Sequence, residues 1–195
     1  MSNRSIHTLL KNWDEECPLT REEAVEVLNL PEEEMDSLME CAYALRTKYK
    51  GKKVSVQLLT NVRSGNCTQN CAYCAQSKDS QAEIEKYKRV SDEKLYGDND
   101  LVDEKHLARH CIGLSGIGFS DEEIEDLADR IREMKKKDTQ ICCSIGFLTE
   151  KQARILKDAG LDRINHNLNS SRSFYPEICT THTYDQRVNN IKMLQ

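Results

Sequence analysis

Eight residues constrain this chain more than any others: Cys67-Thr68-Gln69-Asn70-Cys71-Ala72-Tyr73-Cys74, set directly after an apolar run, Val54 to Thr60, that reads as a strand. Three thiolates at this spacing can converge from one loop onto one face of an iron–sulfur cube. The fourth iron is then left without a protein ligand and open to chelation by a small molecule. Two other readings compete. A zinc knuckle normally needs four protein ligands, and no second Cys-x-x-C or His-x-x-x-His partner follows. A thioredoxin-like Cys-x-x-C has no use for Cys67. Loop position and spacing together favour the iron–sulfur cluster.

The rest of the cysteine usage agrees. There are nine in 195 residues, an odd count that fits a fully paired disulfide framework poorly. Met1 to His7 lacks the apolar core of a signal peptide, and no stretch approaches the roughly 18 consecutive apolar residues of a membrane span. The expectation is a cytoplasmic chain, no membrane association, and thiols that ligate metals or do chemistry. With 28 Lys and Arg against 33 Asp and Glu, the net charge of −5 also argues against nucleic acid as a partner.

The loop sits in a recognisable alternation. Residues 1–51 read as a helical lead-in: Thr20 to Glu23 has capping-box spacing, Pro31 opens a second helix, and Gly51 stops it. The stripe Met35, Leu38, Met39, Ala42 and Leu45 is expected to pack as core. Over 52–195 short apolar runs alternate with amphipathic helices. Strands are expected at Val54 to Thr60, His110 to Leu114, Gln140 to Gly146 and Arg163 to Asn165. Ser120 and Thr149 cap two clear helices, the first with Ile124, Leu127, Ile131 and Met134 inward. Between Ser91 and Lys105 the string Gly97-Asp98-Asn99-Asp100 predicts a short or broken helix. Strands separated by helices of this length imply an α/β fold with βαβ crossovers and a parallel sheet.

Cys-x-x-x-Cys-x-x-Cys with an aromatic before the last cysteine, after the first strand of a βα barrel, resembles the radical S-adenosylmethionine (SAM) superfamily. Ser64 to Cys67 through Cys74-Ala75-Gln76-Ser77 resembles the cluster loop of biotin synthases within it. Asn165-His166-Asn167-Leu168-Asn169-Ser170-Ser171 and Phe174 to Tyr184 resemble that family's most recognisable block. The resemblance runs from about Lys52 to the end and implies a radical SAM TIM-type (β/α) barrel.

The resemblance also implies roles. Cys67, Cys71 and Cys74 would hold a [4Fe–4S] cluster whose open iron binds S-adenosylmethionine, and reductive cleavage there yields a 5′-deoxyadenosyl radical. In biotin synthases such radicals remove hydrogens from dethiobiotin, and sulfur comes from a [2Fe–2S] cluster. Cys111 and Cys142 fall where that family places two of its ligands, while Cys143, one residue along the strand, points to the other face and packs. Gly113, Ser115 and Gly116 match the turn that receives the amino group of S-adenosylmethionine, where glycine permits close backbone approach. Asn167 and Asn169 match positions against the ribose and the substrate. His182 stands where some members carry arginine near the S-adenosylmethionine carboxylate, and Tyr73 lies near the adenine. No catalytic residue beyond these cofactor contacts is expected. His166 reads as a core histidine, and Cys17, Cys41 and Cys179 as structural.

A flavodoxin or ferredoxin reductant and a homodimer are the implied partners. Roughly 145 residues follow the helical lead-in, enough for about four βα units, whereas a closed eight-unit barrel typically takes about 250 residues. The expectation is therefore the N-terminal half of such a barrel, with an incomplete [2Fe–2S] ligand set. A related radical enzyme with another substrate, or a non-catalytic iron–sulfur-binding chain, are the alternatives.

Overall fold

The computed structural model describes residues 19–195, so Cys17 and the start of the helical lead-in lie outside the described residues. The chain divides into two compact units, Met1–Val54 and Ser55–Gln195.

In the first unit, helix α1 (Arg21–Leu28) begins at Thr20, whose hydroxyl accepts from the Glu23 N–H while the Glu23 carboxylate accepts from the Thr20 N–H. This reciprocal pairing satisfies two N–H groups that a helix start otherwise leaves bare. A 3-10 turn (Glu32–Glu34) leads into α2 (Met35–Lys50), which Gly51 ends at φ +63°. The α2 stripe departs from expectation. Leu38 and Leu45 are half-buried and Met35, Met39 and Ala42 are exposed: helical spacing sets which face is apolar and does not itself cover that face.

The second unit is built on a parallel sheet of four strands in the order β1 (Gln57–Arg63), β2 (Arg109–Leu114), β3 (Ile141–Ser144), β4 (Arg163–Asn165). Each strand neighbours its predecessor, so the order contains no reversal. That is the progression of a βα barrel rather than of a doubly wound sheet, in which the order turns back on itself. Helices α3 (Asp92–Glu104), α4 (Asp121–Met134) and α5 (Glu150–Asp158) form the successive crossovers. The segment after β4 carries a single turn of helix, α6 (Tyr175–Ile178), and then α7 (Tyr184–Leu194).

The period-two alternation of the strands sorts their side chains. Thr60, Val62, His110, Ile112, Ile141 and Cys143 are buried, most of them among Leu95, Ile124, Leu127, Ile131 and Leu156 of the helices. The opposite face carries Gln57, Leu59, Asn61, Cys111, Gly113 and Cys142. Strand β1 begins three residues later than expected, since its ladder to β2 starts at Gln57 opposite Arg109. Val54 and Val56 are exposed.

Helix α3 corrects the sequence expectation most clearly: it runs unbroken through Gly97-Asp98-Asn99-Asp100. The residues that would weaken it in isolation have tertiary partners. Asn99 is buried and donates to the Met134 carbonyl at 3.1 Å, and Asp98 accepts from the Thr60 hydroxyl at 2.6 Å and from Lys94. With Leu95 and Val102 buried beside them, packing overrides propensity.

Candidate metal centre

In a parallel sheet the loops after each strand gather at one edge, the carboxyl end, where such folds place their ligands. Here these loops are tied together. The Ser115 hydroxyl, after β2, donates to the Gly65 carbonyl, after β1, at 2.6 Å. The Phe147 N–H, after β3, donates to the Ile117 carbonyl at 2.6 Å. Gly146 makes that approach possible, because a Cβ there would lie 2.4 Å from the Ile117 oxygen.

The loop leaving β1 holds the three spaced cysteines. Its ends close in an antiparallel bridge between Ser64 and Tyr87. Gly65 (φ +69°) and Asn66 (φ +52°) turn the chain sharply into it. Within it the Cys74 N–H donates to the Cys71 carbonyl at 3.1 Å and the Ser77 N–H to Cys74 at 3.0 Å. Cys67, Cys71 and Cys74 are all thiols outside any disulfide. The donor set fits a [4Fe–4S] cluster: three thiols on one tight loop, none bound elsewhere in the covalent structure. Cys67 and Cys74 stand outside the narrower group that Cys71 joins.

That narrower group was not foreseen. Cys71 Sγ lies 3.8 Å from Cys179 Sγ, and His182 Nδ1 lies 3.3 Å from the same sulfur. Cys179, read from sequence as structural, thus has close ligand-type neighbours. Asn70 holds the two segments together: its Oδ1 accepts from the Thr180 and Thr181 N–H groups at 3.0 and 3.2 Å, and its Nδ2 donates to the Thr180 hydroxyl at 2.7 Å. Burial and the neighbouring Cys179 push the Cys71 thiol up to about 11. At Cys179 burial acts in the same sense, but Thr181 and the backbone N–H groups of His182 and Thr181 outweigh it and hold the thiol below its ordinary range.

His182 is buried edge-on against Phe147 and Tyr175. Arg187 donates to its Nε2 through Nε at 3.2 Å and Nη2 at 3.1 Å, and Gln69 Oε1 lies 3.0 Å from its Nδ1. Burial first, then Arg187, lower its pKa to about 4. It offers a lone pair, and the positive charge at this point is carried by Arg187. No sequence motif marks Arg187; its role arises from the turn that α7 makes after Thr183.

Tyr73 is half-exposed, and its hydroxyl accepts from Asn169 Nδ2 at 2.5 Å. Asn167 and Asn169 are both exposed, Asn169 at φ +66°. Ser115 is buried, and Gly116 takes φ +125°. At Gly113 a Cβ would meet only Asn61 and Leu59, at 3.7 and 3.8 Å. The open backbone there faces the same side of the sheet as Cys111. His166 stacks at a tilt on Phe147 with ring centroids 5.4 Å apart.

Cys111 and Cys142 are direct partners in the β2–β3 ladder and so share a face. Cys111 donates to Gln57 Oε1 at 3.0 Å, and burial with the adjacent Cys111 pushes Cys142 up to about 11. Arg109 and Arg163 lie close enough to act in the opposite sense. Cys143 is fully buried among the helix-facing side chains, on the other face.

The profile of the Radical SAM superfamily matches residues 61–195. The chain is 39% identical to the biotin synthase of Geobacillus kaustophilus over 178 residues, covering 91% of this chain and 54% of that protein. It is 40% identical to the biotin synthase of Bacillus subtilis (strain 168) over 176 residues, 90% of this chain and 52% of that protein. The chain thus spans about half the length of the curated relatives it matches. Among solved structures, methylornithine synthase superposes with a TM-score of 0.80 at 16% identity, over 95% of this chain and 54% of that one. The FeFe-hydrogenase maturase HydG from Carboxydothermus hydrogenoformans gives 0.74 at 21% identity, over 90% and 42%. At such identities these likenesses establish the fold: a radical SAM type of βα barrel, of which the four parallel strands are a part. Among the described residues no helix is long and apolar enough to cross a membrane.

Proposed function

The chain belongs to the radical SAM superfamily, and from that premise we propose that it carries the N-terminal half of a biotin synthase, a sulfurtransferase that converts dethiobiotin to biotin. The observation that carries this reading is the single loop bearing Cys67, Cys71 and Cys74, placed at the carboxyl edge of the sheet beside the Ser115–Gly65 contact. Identity near 40% to biotin synthases over most of this chain supports the choice of substrate.

In this reading Cys67, Cys71 and Cys74 hold a [4Fe–4S] cluster, and Cys111 and Cys142 supply two ligands of a [2Fe–2S] cluster. When bound and reduced, the first cluster supplies the electron that cleaves S-adenosylmethionine. The chain's own residues position the ligand. Gly113 leaves backbone open on the ligand-facing side, and Ser115 fixes the turn that follows by bonding to Gly65. Asn169 presents its amide to the cluster loop, where the Tyr73 hydroxyl accepts from it, and Asn167 lies two residues earlier on the same loop as Asn169. Arg187 contributes a positive charge next to His182, suited to a carboxylate. Cys111 and Cys142 face the same side as Gly113, so both clusters would address one interior. A flavodoxin- or ferredoxin-type reductant and a homodimeric whole protein complete the proposal.

Anaerobic reconstitution of the chain tests it. About four irons per chain are expected when the three-cysteine site fills alone, together with dithionite-dependent cleavage of S-adenosylmethionine. Both should vanish in the Cys67→Ala, Cys71→Ala double variant. Iron retained by that variant would refute the cluster assignment.

A further inference from the structure

We propose that Cys71, Cys179 and His182 form a second, alternative metal site that binds one thiophilic divalent cation such as Zn²⁺, and that filling it excludes the [4Fe–4S] cluster from the adjoining loop. The cation site stands on these three residues alone, whereas the exclusion rests on the cluster reading above.

Among the described residues this is the only group of three or more Cys, His, Asp or Glu donors lying within 4.8 Å of one another, and all three members are buried. The geometry suits a single ion. Zinc–sulfur bonds of about 2.3 Å place two sulfurs about 3.8 Å apart along a tetrahedral edge, and Cys71 and Cys179 are 3.8 Å apart. The Cys179 sulfur and His182 Nε2 are separated by 3.8 Å, close to a sulfur–nitrogen edge. Two thiolates and an imidazole match the ligand softness such an ion prefers, and water completes four-coordination.

One neighbour of His182 suits a ligating histidine and another must move. Gln69 Oε1 faces Nδ1 at 3.0 Å, so the ring donates its proton there and keeps its lone pair at Nε2, as an outer-shell carbonyl orients a metal-bound imidazole. That lone pair already faces a positive group, the Arg187 guanidinium. Cation binding requires Arg187 to withdraw toward Tyr175, whose hydroxyl it also contacts at 3.1 Å. The Asn70 contacts to Thr180 and Thr181 fix the Cys179 turn against the cluster loop, so the two sulfurs meet without rearrangement.

Cys71 can serve only one centre. Cys67 and Cys74 alone leave a cube with two ligands, so a cation held by Cys71, Cys179 and His182 blocks cluster loading. The device ties iron–sulfur assembly to the supply of competing thiophilic metal, and Cys179 is the residue on which it turns.

The experiment titrates the full chain, freed of iron under anaerobic reducing conditions, with Co²⁺. The expected result is one Co²⁺ per chain, with sulfur-to-cobalt charge transfer in the near ultraviolet and intense tetrahedral visible bands, reversed by Zn²⁺. Cys179→Ser and His182→Asn should each weaken binding by about tenfold or more, while Cys67→Ser leaves it unchanged. Far-ultraviolet circular dichroism confirms that each variant folds. If Cys67→Ser removes the bands and Cys179→Ser spares them, the ion sits on the cluster loop and the site is refuted.

For the exclusion, one equivalent of Zn²⁺ added before reconstitution should cut iron incorporation severalfold in the unaltered chain and leave the Cys179→Ser variant unaffected. Equal iron loading with and without zinc would overturn it. If no form of the chain takes up iron, the cluster reading fails, and the cobalt result still decides the cation site.

Discussion

Asn169 donates its side-chain amide to the Tyr73 hydroxyl at 2.5 Å, joining residues 96 apart in the chain. The bond links the cysteine loop after β1 to the loop after β4, from opposite ends of the four-stranded sheet. Asn169 reaches it from a left-handed backbone, φ +66°, a conformation asparagine tolerates better than most residues.

Two separable effects should therefore appear at this contact. Tyr73→Phe removes one hydrogen bond between exposed partners and should cost under about 1 kcal/mol in urea denaturation. Asn169→Ala should cost about 1 kcal/mol more than Asn169→Gly, since only glycine keeps the left-handed backbone without penalty. Equal stability of the two Asn169 variants would place the strain elsewhere.

Gly146→Ala should be among the most damaging single changes in the second unit. Its new methyl would meet the Ile117 backbone at 2.4 to 2.7 Å, and a backbone cannot rotate aside as a side chain does. A loss of about 3 kcal/mol is expected, read as a lowered denaturation midpoint. A midpoint near that of the unaltered chain would mean that the two loops have room to separate.

Asn99→Leu keeps the heavy-atom count and the branch of a buried side chain, adds bulk through its two methyl groups, and removes its polarity. It takes one of two donors from the Met134 carbonyl, which keeps the Lys137 N–H at 3.3 Å, and leaves His110 Nδ1, 3.3 Å from Asn99 Oδ1, without its partner. The expected cost is about 2 to 3 kcal/mol, although leucine is the better helix former. A stabilised variant would show that helix propensity, not the tertiary bonds, governs α3.

Acid sensitivity should trace in part to Asp92. Hydrogen bonds from Arg89 and then Arg130 hold its carboxyl below the usual range despite some desolvation. A carboxyl depressed on folding stabilises the fold above its unfolded pKa of about 4, and that contribution fades as pH falls through the lower folded value. Asp92→Asn also strips buried Arg130 of its hydrogen-bonded counter-ion. It should cost about 1 to 2 kcal/mol at pH 7 and flatten the stability profile below about pH 4.

The adjacent cysteines of β3 should behave oppositely on iron loading. Cys142→Ala should abolish any iron beyond that held by the three-cysteine loop, because Cys142 faces Cys111 across the ladder. Cys143→Ala should leave iron content unchanged and cost about 1 kcal/mol through a small cavity. Iron lost on Cys143→Ala alone, in a folded protein, would reverse the assignment.

Much of the molecule was legible locally. Ser120, Thr149 and Thr20 mark helix starts by capping pairs that operate over four residues, and strand periodicity separates Cys142 from Cys143. The α3 segment was not legible, because the partners that keep Gly97-Asp98-Asn99-Asp100 helical come from β1 and the end of α4. The α2 stripe failed for the converse reason: helical spacing says which face is apolar, not whether anything covers it.

The same division runs through the site. The sequence alone determined which loop carries the spaced thiols and which family the chain joins, since both are written in contiguous residues whose spacing is itself the signal. Only the tertiary structure decided that Cys179 meets Cys71, that Arg187 rather than His182 bears the local charge, and that Gly146 admits Ile117. Those outcomes depend on where separate loops land once the parallel ladder brings their carboxyl ends together, and no local pattern encodes that distance.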